Sequence, residues 1–204
     1  MLHVLNHPLG AHLLTHLRDR ATLPAAFRTF SYQIGLLLAI EATRDLTTRN
    51  HVIETPLETH TGQILATPLA VVPILRAGLG MVQPFVDLFP DVSVGYVGLE
   101  RDHVTAVARS YYQKLPPLAG KRVLAVDPML ATGGSAVQAI DALLAAGATD
   151  IGLVCIVASP EGVKAVQTAH PSVAIFTAAL DRELNAQKYI LPGLGDFGDR
   201  LYGT

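Results

Sequence analysis

The sequence has few charged residues, a single cysteine, no tryptophan and no long hydrophobic run. Charged residues make up 16% of the chain and hydrophobic residues 50%, which excludes an intrinsically disordered protein, since disorder requires the opposite balance. Cys155 has no partner for an internal disulfide. No apolar stretch reaches the roughly 18 residues of a membrane helix, and the N-terminus lacks the pattern of a signal peptide. We therefore expect a cytoplasmic protein.

Positive charge is not in excess either. The 15 lysines and arginines are outnumbered by 17 acidic residues, which excludes a broadly basic nucleic-acid-binding protein. Of the 15 cations, 11 are arginines, whose planar guanidinium binds phosphates and carboxylates through two hydrogen bonds. A mean hydropathy of +0.37 is high for a chain of this length, so we expect a homodimer or a larger homo-oligomer that buries apolar surface.

The hydrophobic pattern predicts two N-terminal helices followed by alternating strands and helices. Leu13, Leu14 and Leu17 share one helical face, and a second helix is expected over residues 24–45. Residues 50–67 are polar and predict a loop, with a short hairpin as an alternative. From residue 69, strands and helices alternate; strands are expected at 70–74, 92–97, 122–126, 151–158 and 173–178, and helices at 79–89, 135–146 and 160–169. This order predicts an α/β fold with a mostly parallel sheet, whose ligands bind beyond the carboxyl ends of the strands.

The most informative motif joins the strand that ends at Val126 to the next helix. Asp127 follows the strand, and the segment ends in Thr132-Gly-Gly-Ser135, where the helix begins. Glycines let the backbone approach a ligand, and N–H groups at a helix start attract anions. The hydroxyls add donors, and an ionised carboxylate accepts hydrogen bonds from sugar hydroxyls. We call residues 127–135 the anion loop, and it predicts a site for a ribose 5-phosphate.

Three patterns have ordinary alternatives. The glycines of the anion loop could simply make a turn, although the carboxylate and the flanking hydroxyls favour a ligand site. Residues Gly193–Gly198 match the Gly-x-Gly-x-x-Gly dinucleotide pattern, but no strand closely precedes them; their main chain is better suited to bind the edge of a flat base. His12 and His16 lie one helical turn apart without a carboxylate or cysteine partner, which predicts solvated side chains rather than a metal site.

Together these motifs resemble the uracil phosphoribosyltransferase family, a branch of the type I phosphoribosyltransferases. The similarity extends from His7 almost to the last residue. The matching motifs are Glu41–Thr43, Pro73–Met81, Tyr112–Pro116, Val126–Ser135, Pro160–Gly162 and Tyr189–Asp199. The proline that follows Asp127, in place of a second carboxylate, is typical of the uracil branch. The resemblance implies a single domain over residues 1–204, with a core at about 69–180 and a C-terminal base-binding hood formed by the N-terminal segment and residues 181–204.

The resemblance also implies the site residues. Catalysis is assigned to Asp127, Arg76 and Arg101; from the residues alone, Arg76 already offers a guanidinium to diphosphate oxygens at a strand end. Binding of phosphoribosyl diphosphate (PRPP) is assigned to Arg76, Arg101, Asp127, Pro128, Met129, Leu130, Ala131, Thr132, Gly133, Gly134, Ser135 and Asp196. Binding of uracil is assigned to Ile190, Gly195, Asp196 and Phe197.

Two segments depart from the family pattern. His103 stands where an acidic residue is expected, and Ala106–Arg109 replaces a stretch of leucine and proline. These changes leave open the contacts of the segment 102–111. Phe197 replaces a common small residue, and its ring would narrow the base pocket if it pointed inward.

The implied reaction is uracil + PRPP → UMP + diphosphate, with Mg²⁺ carried mainly by PRPP and no direct protein ligand to the metal. Some members of the family are activated by GTP, for which this sequence shows no motif. The alternative is a regulator of the same fold that senses PRPP or nucleotides with little catalysis. A basic face or an added domain would favour it, and neither is apparent in the sequence.

Overall fold

The computed structural model describes the backbone of residues 1–101 and 108–204 and the side chains of residues 1–99 and 111–204. The helices are α1 (Pro8–Arg18), α2 (Pro24–Ala42), α3 (Val82–Leu88), α4 (Gly134–Ala145), α5 (Pro160–Ala169) and α6 (Phe197–Tyr202). The strands are β1 (Leu2–Val4), β2 (Thr48–Glu54), β3 (Thr59–Leu65), β4 (Leu69–Leu75), β5 (Ser93–Val94), β6 (Tyr96–Arg101), β7 (Ala108–Lys114), β8 (Arg122–Val126), β9 (Met129–Leu130), β10 (Asp150–Ala158), β11 (Ala174–Leu180), β12 (Glu183–Leu184) and β13 (Ile190–Leu191). A 3₁₀ turn over Ala77–Met81 precedes α3.

The central sheet has the strand order β1-β11-β10-β8-β4-β6-β7, with β5 paired to β4 and β9 paired to β10. Its pairings are parallel, except that β6 and β7 are antiparallel. Val126 at the end of β8 lies beside Pro73 of β4 and Val154 of β10. This confirms the predicted α/β fold and places the anion loop in the middle of the sheet edge.

The central strands β4, β8 and β10 are almost entirely apolar because helices cover both faces of the sheet. Leu124 and Val126 belong to a core shared with α1, α2 and α6. Val123 and Ala125 point the other way, into a second core shared with α4 and α5. Successive residues of β8 therefore point to opposite faces of the sheet, although the whole run is hydrophobic.

The segment 48–65 corrects the sequence prediction. It forms an antiparallel hairpin of two seven-residue strands, β2 and β3, where a loop or a short hairpin was expected. Every residue of β2 is exposed. Because no face of this hairpin is buried against the sheet, the sequence had no alternation of apolar and polar residues to reveal its length.

Three predicted boundaries also differ. The helix expected at 79–89 is divided into the 3₁₀ turn and α3, and Pro84 lies in the first turn of α3, where its missing N–H costs nothing. The strand expected at 92–97 is interrupted at Gly95, which donates to the Val71 carbonyl at 3.0 Å. The helix expected to reach residue 45 ends at Ala42.

Cys155 lies fully buried in β10, and burial raises its pKa to about 12, as expected for a core thiol. The rings of His12 and His16 contact each other edge to face, with centroids 4.6 Å apart. Within residues 1–101 and 108–204, we find no helix that is long and apolar enough to cross a membrane.

Candidate active site

The anion loop ends in a helix N-terminus that is open to a ligand. Gly133 caps α4 with a φ of 83°, a left-handed conformation that glycine adopts without strain. Gly133 is the N-cap residue and has no side chain to bond the first-turn N–H groups, which therefore suit an anion. Thr132, Gly133 and Ser135 border a small cavity of about 40 Å³. This arrangement confirms the predicted strand–loop–helix geometry.

The start of α5 supports the anion loop from behind. The Ser159 hydroxyl donates to the Ala131 carbonyl at 2.6 Å and accepts from the Gly162 N–H at 3.0 Å. The Ser159 N–H donates to the Leu130 carbonyl at 2.9 Å. A Cβ on Gly162 would lie 2.4 Å from the Ala131 oxygen, so only glycine fits there. Ser159 is the N-cap of α5, and its bond to the anion loop is a second role that the sequence does not reveal.

Asp127 stands between two cavities. It is half-buried, and its N–H donates to the Val154 carbonyl at 3.1 Å. Asp127 borders the small cavity of the anion loop and also a larger one of about 320 Å³. Met129 and Ala131 border both as well. One ligand can therefore extend from the anion loop past a carboxylate into the larger cavity.

The larger cavity joins the anion loop to the segment 190–198, which we call the C-terminal loop. It is bordered by all four predicted uracil-binding residues, Ile190, Gly195, Asp196 and Phe197. It is also bordered by residues that the sequence analysis missed, namely Ala77, Gln187, Lys188, Tyr189 and Gly198. Each of these residues lies within a family motif or just before one. This position in the sequence was the signal that could have identified them.

The ring of Phe197 lies in the core of the protein. Its side chain is 1% exposed, and its ring centroid is 5.3 Å from that of Phe27 on α2. A Cβ on Gly80 would lie 3.0 Å from the Phe197 ring, so the 3₁₀ turn passes close to it. Phenylalanine at this position therefore fills the core behind the cavity rather than the cavity itself.

Asp196 caps α6, since its Oδ1 accepts from the Asp199 N–H at 3.0 Å. A carboxylate has a second oxygen that can accept from a ligand or from water. Because Asp196 and Asp127 border the same cavity, two carboxylates face one ligand space from the two loops.

Arg76 is exposed at the carboxyl end of β4, and the peptide bond between Leu75 and Arg76 is cis. The next residue, Ala77, borders the larger cavity. A Cβ on Gly78 would lie 2.5 Å from the Val126 carbonyl, so the turn after Arg76 packs directly against the start of the anion loop. Arg76 therefore lies at the same edge of the sheet as the anion loop, but it is not among the residues that border the two cavities.

The four remaining predicted residues lie in different positions. Leu130 borders the small cavity. Pro128 is buried, and its carbonyl accepts from Ile156 and Val157 of β10, so it shapes the loop from the sheet side. Gly134 is the exposed first residue of α4. The backbone of Arg101 ends β6, but its side chain and residues 102–107 lie outside the described part of the chain, together with His103 and Ala106.

Glu161 links the start of α5 to β12. It follows Ser159 at the start of α5, and its Oε1 accepts from the Leu184 N–H at 3.2 Å. Hydrogen bonds from backbone N–H groups, its own and that of Leu184, hold the pKa of this carboxyl below its usual value. The support of the anion loop is thus tied to β12, just ahead of the C-terminal loop.

Comparisons with known proteins agree over the whole chain. A family model described as uracil phosphoribosyltransferase matches residues 4–204. A uracil phosphoribosyltransferase of Listeria innocua is 51% identical over 100% of this chain and 98% of its own length. One from Dictyoglomus thermophilum is 50% identical over 100% of both chains.

Solved structures show the same architecture. A protein from Aquifex aeolicus superimposes with a TM-score of 0.95 and 35% identity, covering 100% of this chain and 99% of its own. A hypoxanthine-guanine phosphoribosyltransferase from Bacillus anthracis has a TM-score of 0.55 at 12% identity, over 78% of this chain and 80% of its own. At that identity the likeness concerns the fold alone.

Proposed function

This chain belongs to the uracil phosphoribosyltransferase family, and we propose on that premise that it transfers the 5-phosphoribosyl group of PRPP to uracil, releasing UMP and diphosphate. The observation that carries the proposal is the pair of cavities that share Asp127. One is an anion cradle and the other is bordered by main chain that suits a flat base. The comparisons give no support to the regulatory alternative.

The phosphate, the ribose and the base of the ligand lie in that order from the small cavity to the larger one. The 5-phosphate binds the N–H groups and hydroxyls of residues 132–135, where the helix terminus adds partial positive charge. The ribose hydroxyls donate to Asp127. Uracil enters the larger cavity, where main-chain groups of Ile190, Gly195 and Asp196 pair with its alternating carbonyls and N–H groups. The anion loop and C-terminal loop therefore bind opposite ends of the product.

The chemistry is direct displacement with electrostatic stabilisation. The bond from C1′ to diphosphate breaks and its electron pair leaves with diphosphate, while uracil N1 forms the new bond from the opposite face and releases its proton. Arg76 and Arg101 stabilise charge on the leaving group, and Asp127 stabilises the cationic sugar. We assign no general base, and Asp196 orients the water shell of the ligand.

We further propose that Mg²⁺ is the cofactor. The ion prefers oxygen ligands and keeps several waters, binding through one or two carboxylates plus substrate phosphates. The phosphates of PRPP would hold the ion, and Asp127 and Asp196, which border one cavity, would accept hydrogen bonds from its bound waters rather than ligate it. Over the described ranges, no group of three histidine, cysteine, aspartate or glutamate side chains forms a metal site. When bound with PRPP, the ion would neutralise charge on the diphosphate.

Four further expectations remain proposals. A homodimer or larger assembly is supported by the exposed apolar side chains of the hairpin β2–β3, including Val52 at 63% and Leu57, between the strands, at 94% exposure. A cytoplasmic location stays a prediction from the sequence, and the division into a core and a hood rests on the family resemblance. GTP activation has the same basis, and is tested by assaying the purified protein with and without GTP.

The decisive test of function is a base screen with PRPP and Mg²⁺. Release of diphosphate and formation of UMP are expected with uracil, and no turnover is expected with hypoxanthine, adenine or orotate. Activity with a purine alone would overturn the substrate assignment. Turnover with none of the four bases would favour the regulator.

A further inference from the structure

The C-terminal loop is held at its first glycine by a buried ion pair. Arg18, the last residue of α1, donates to Asp181 Oδ2 at 2.8 Å and to Oδ1 at 2.5 Å. The same Arg18 Nη1 donates to the Gly193 carbonyl at 2.7 Å. Asp181 Oδ2 accepts from the Gly193 N–H at 2.9 Å. Both main-chain polar groups of Gly193 are therefore bound by one ion pair.

This ion pair is sheltered from water. The side chain of Asp181 is 4% exposed and that of Arg18 is 24% exposed. Gly193 itself makes a sharp turn, since its φ is 60° and a Cβ there would lie 2.2 Å from the Ile190 carbonyl. Gly193 stands between Ile190 and Gly195 in the chain, and both of these residues border the base cavity.

A second arginine holds the loop at its next residue. Arg200 donates to the Leu194 carbonyl at 2.8 Å. It also donates to the carbonyls of Leu17 and Asp19, at the end of α1, the latter at 2.6 Å. Its guanidinium carbon lies 4.4 Å from the centre of the Phe27 ring, a cation–π contact. Burial lowers the pKa of Arg200, as expected for an arginine whose described acceptors are neutral carbonyls.

We propose that Arg18, Asp181 and Arg200 are positioning residues for base recognition, which fix the main chain of the C-terminal loop at the distance and angle that uracil requires. The inference rests on the proposed function. A loop that recognises its ligand through main-chain groups cannot be tuned by its own side chains. Its accuracy depends on the groups that hold the backbone, and small displacements of such groups weaken binding.

The test separates the two substrates. In Asp181→Asn, one carboxylate oxygen becomes an NH₂ group that cannot accept from Arg18, so the charge of the ion pair and one of its two N–H···O bonds are lost while the side-chain volume is kept. We expect the KM for uracil to rise at least tenfold and the KM for PRPP to change less than twofold. Arg18→Lys keeps the charge but loses the planar fork, and we expect an intermediate uracil KM. The matched control is Arg182→Ala, which breaks the exposed pair Arg182–Glu183 next to Asp181 and should change neither KM.

A merely structural role would give a different pattern. Equal rises in the two KM values, or a fall in kcat alone, would overturn the proposal, as would an unchanged uracil KM. If Asp181→Asn does not fold, as judged by circular dichroism, Arg200→Lys is measured against the same criteria. UMP formation by the unsubstituted protein is scored separately, so that a failure of the proposed function is distinguished from a failure of this inference.

Discussion

The anion loop and the C-terminal loop border the same cavity but are held by different means. The anion loop lies between a strand and a helix that are consecutive in the chain, and its support at Ser159 is 28 residues away. The C-terminal loop is held by arginines and a carboxylate, and its contact from Arg18 to Gly193 spans 175 residues. In the proposed function, phosphate binding would thus belong to the sheet edge, whereas base binding would depend on a contact between distant parts of the chain.

Asp127 borders both the small cavity of the anion loop and the larger cavity next to the C-terminal loop. Its substitution should therefore have the largest effect on activity. Asp127→Asn keeps the shape of the side chain but removes the negative charge that faces the cationic sugar. We expect kcat to fall by about 10³-fold, the size seen when one preorganised electrostatic group is removed. Steady-state assays with both substrates measure this, with circular dichroism as the control for folding. A near-normal kcat would contradict the role given to Asp127.

Gly162→Ala tests the anion loop alone. The added methyl would meet the carbonyls of Ala131 and Leu130 at 2.4 and 2.7 Å, and such overpacking costs about 1–3 kcal/mol. We expect the KM for PRPP to rise about tenfold and the uracil KM to stay within twofold. Gly147→Ala is a control for a glycine that meets nothing within 4 Å, although its φ of 88° will itself lower stability. A uracil-selective defect in Gly162→Ala would break the distinction between the loops.

Phe197→Leu tests the core beneath the C-terminal loop. Loss of the ring contact with Phe27 should lower the free energy of unfolding by about 0.5–1.5 kcal/mol. Because the ring packs behind the base cavity, we expect the uracil KM to change more than the PRPP KM. Chemical denaturation and the two KM values measure these effects. A gain in uracil affinity would show instead that the ring occupies part of the cavity.

Lys188→Gly should have the smallest effect, with the opposite sign. Lys188 has a φ of 68° and is the single non-glycine residue with positive φ in the described ranges. A left-handed conformation costs a side-chain-bearing residue about 1–2 kcal/mol, so glycine should raise the free energy of unfolding by about 0.5–1 kcal/mol after its own entropy cost. Lys188→Ala is the matched control, because it removes the ammonium but keeps the Cβ. Equal stability of the two variants would contradict backbone strain as the cause.

The anion loop could be predicted because its parts are adjacent in the sequence. A buried strand, Asp127, two glycines and two hydroxyls stand in order, and the parallel sheet brings Arg76 to the same edge. The ion pair of Arg18 and Asp181 could not be predicted in this way. Neither residue stands in a motif of its own, and nothing local indicates that a helix end and a strand end 163 residues apart will meet.

The hairpin and the ring of Phe197 show two further limits. Hydrophobic alternation reveals a strand only when one face is buried, and β2 has none. The direction of the Phe197 ring depends on Phe27 and Gly80, which belong to other elements. The sequence alone therefore could not predict whether the ring points into the base cavity or into the core. Family resemblance located the residues around the cavity, and tertiary packing determined what each side chain contacts.

The single thiol has a practical consequence. Cys155 lies in β10, between β8 and β11, and its reactive thiolate form is suppressed by burial. A thiol reagent can therefore modify this protein only when the centre of the sheet opens. The rate at which Cys155 is labelled at neutral pH, measured by mass spectrometry, therefore reports how often the sheet opens, and no engineered probe is needed. Substrates that bind the folded site should slow this labelling.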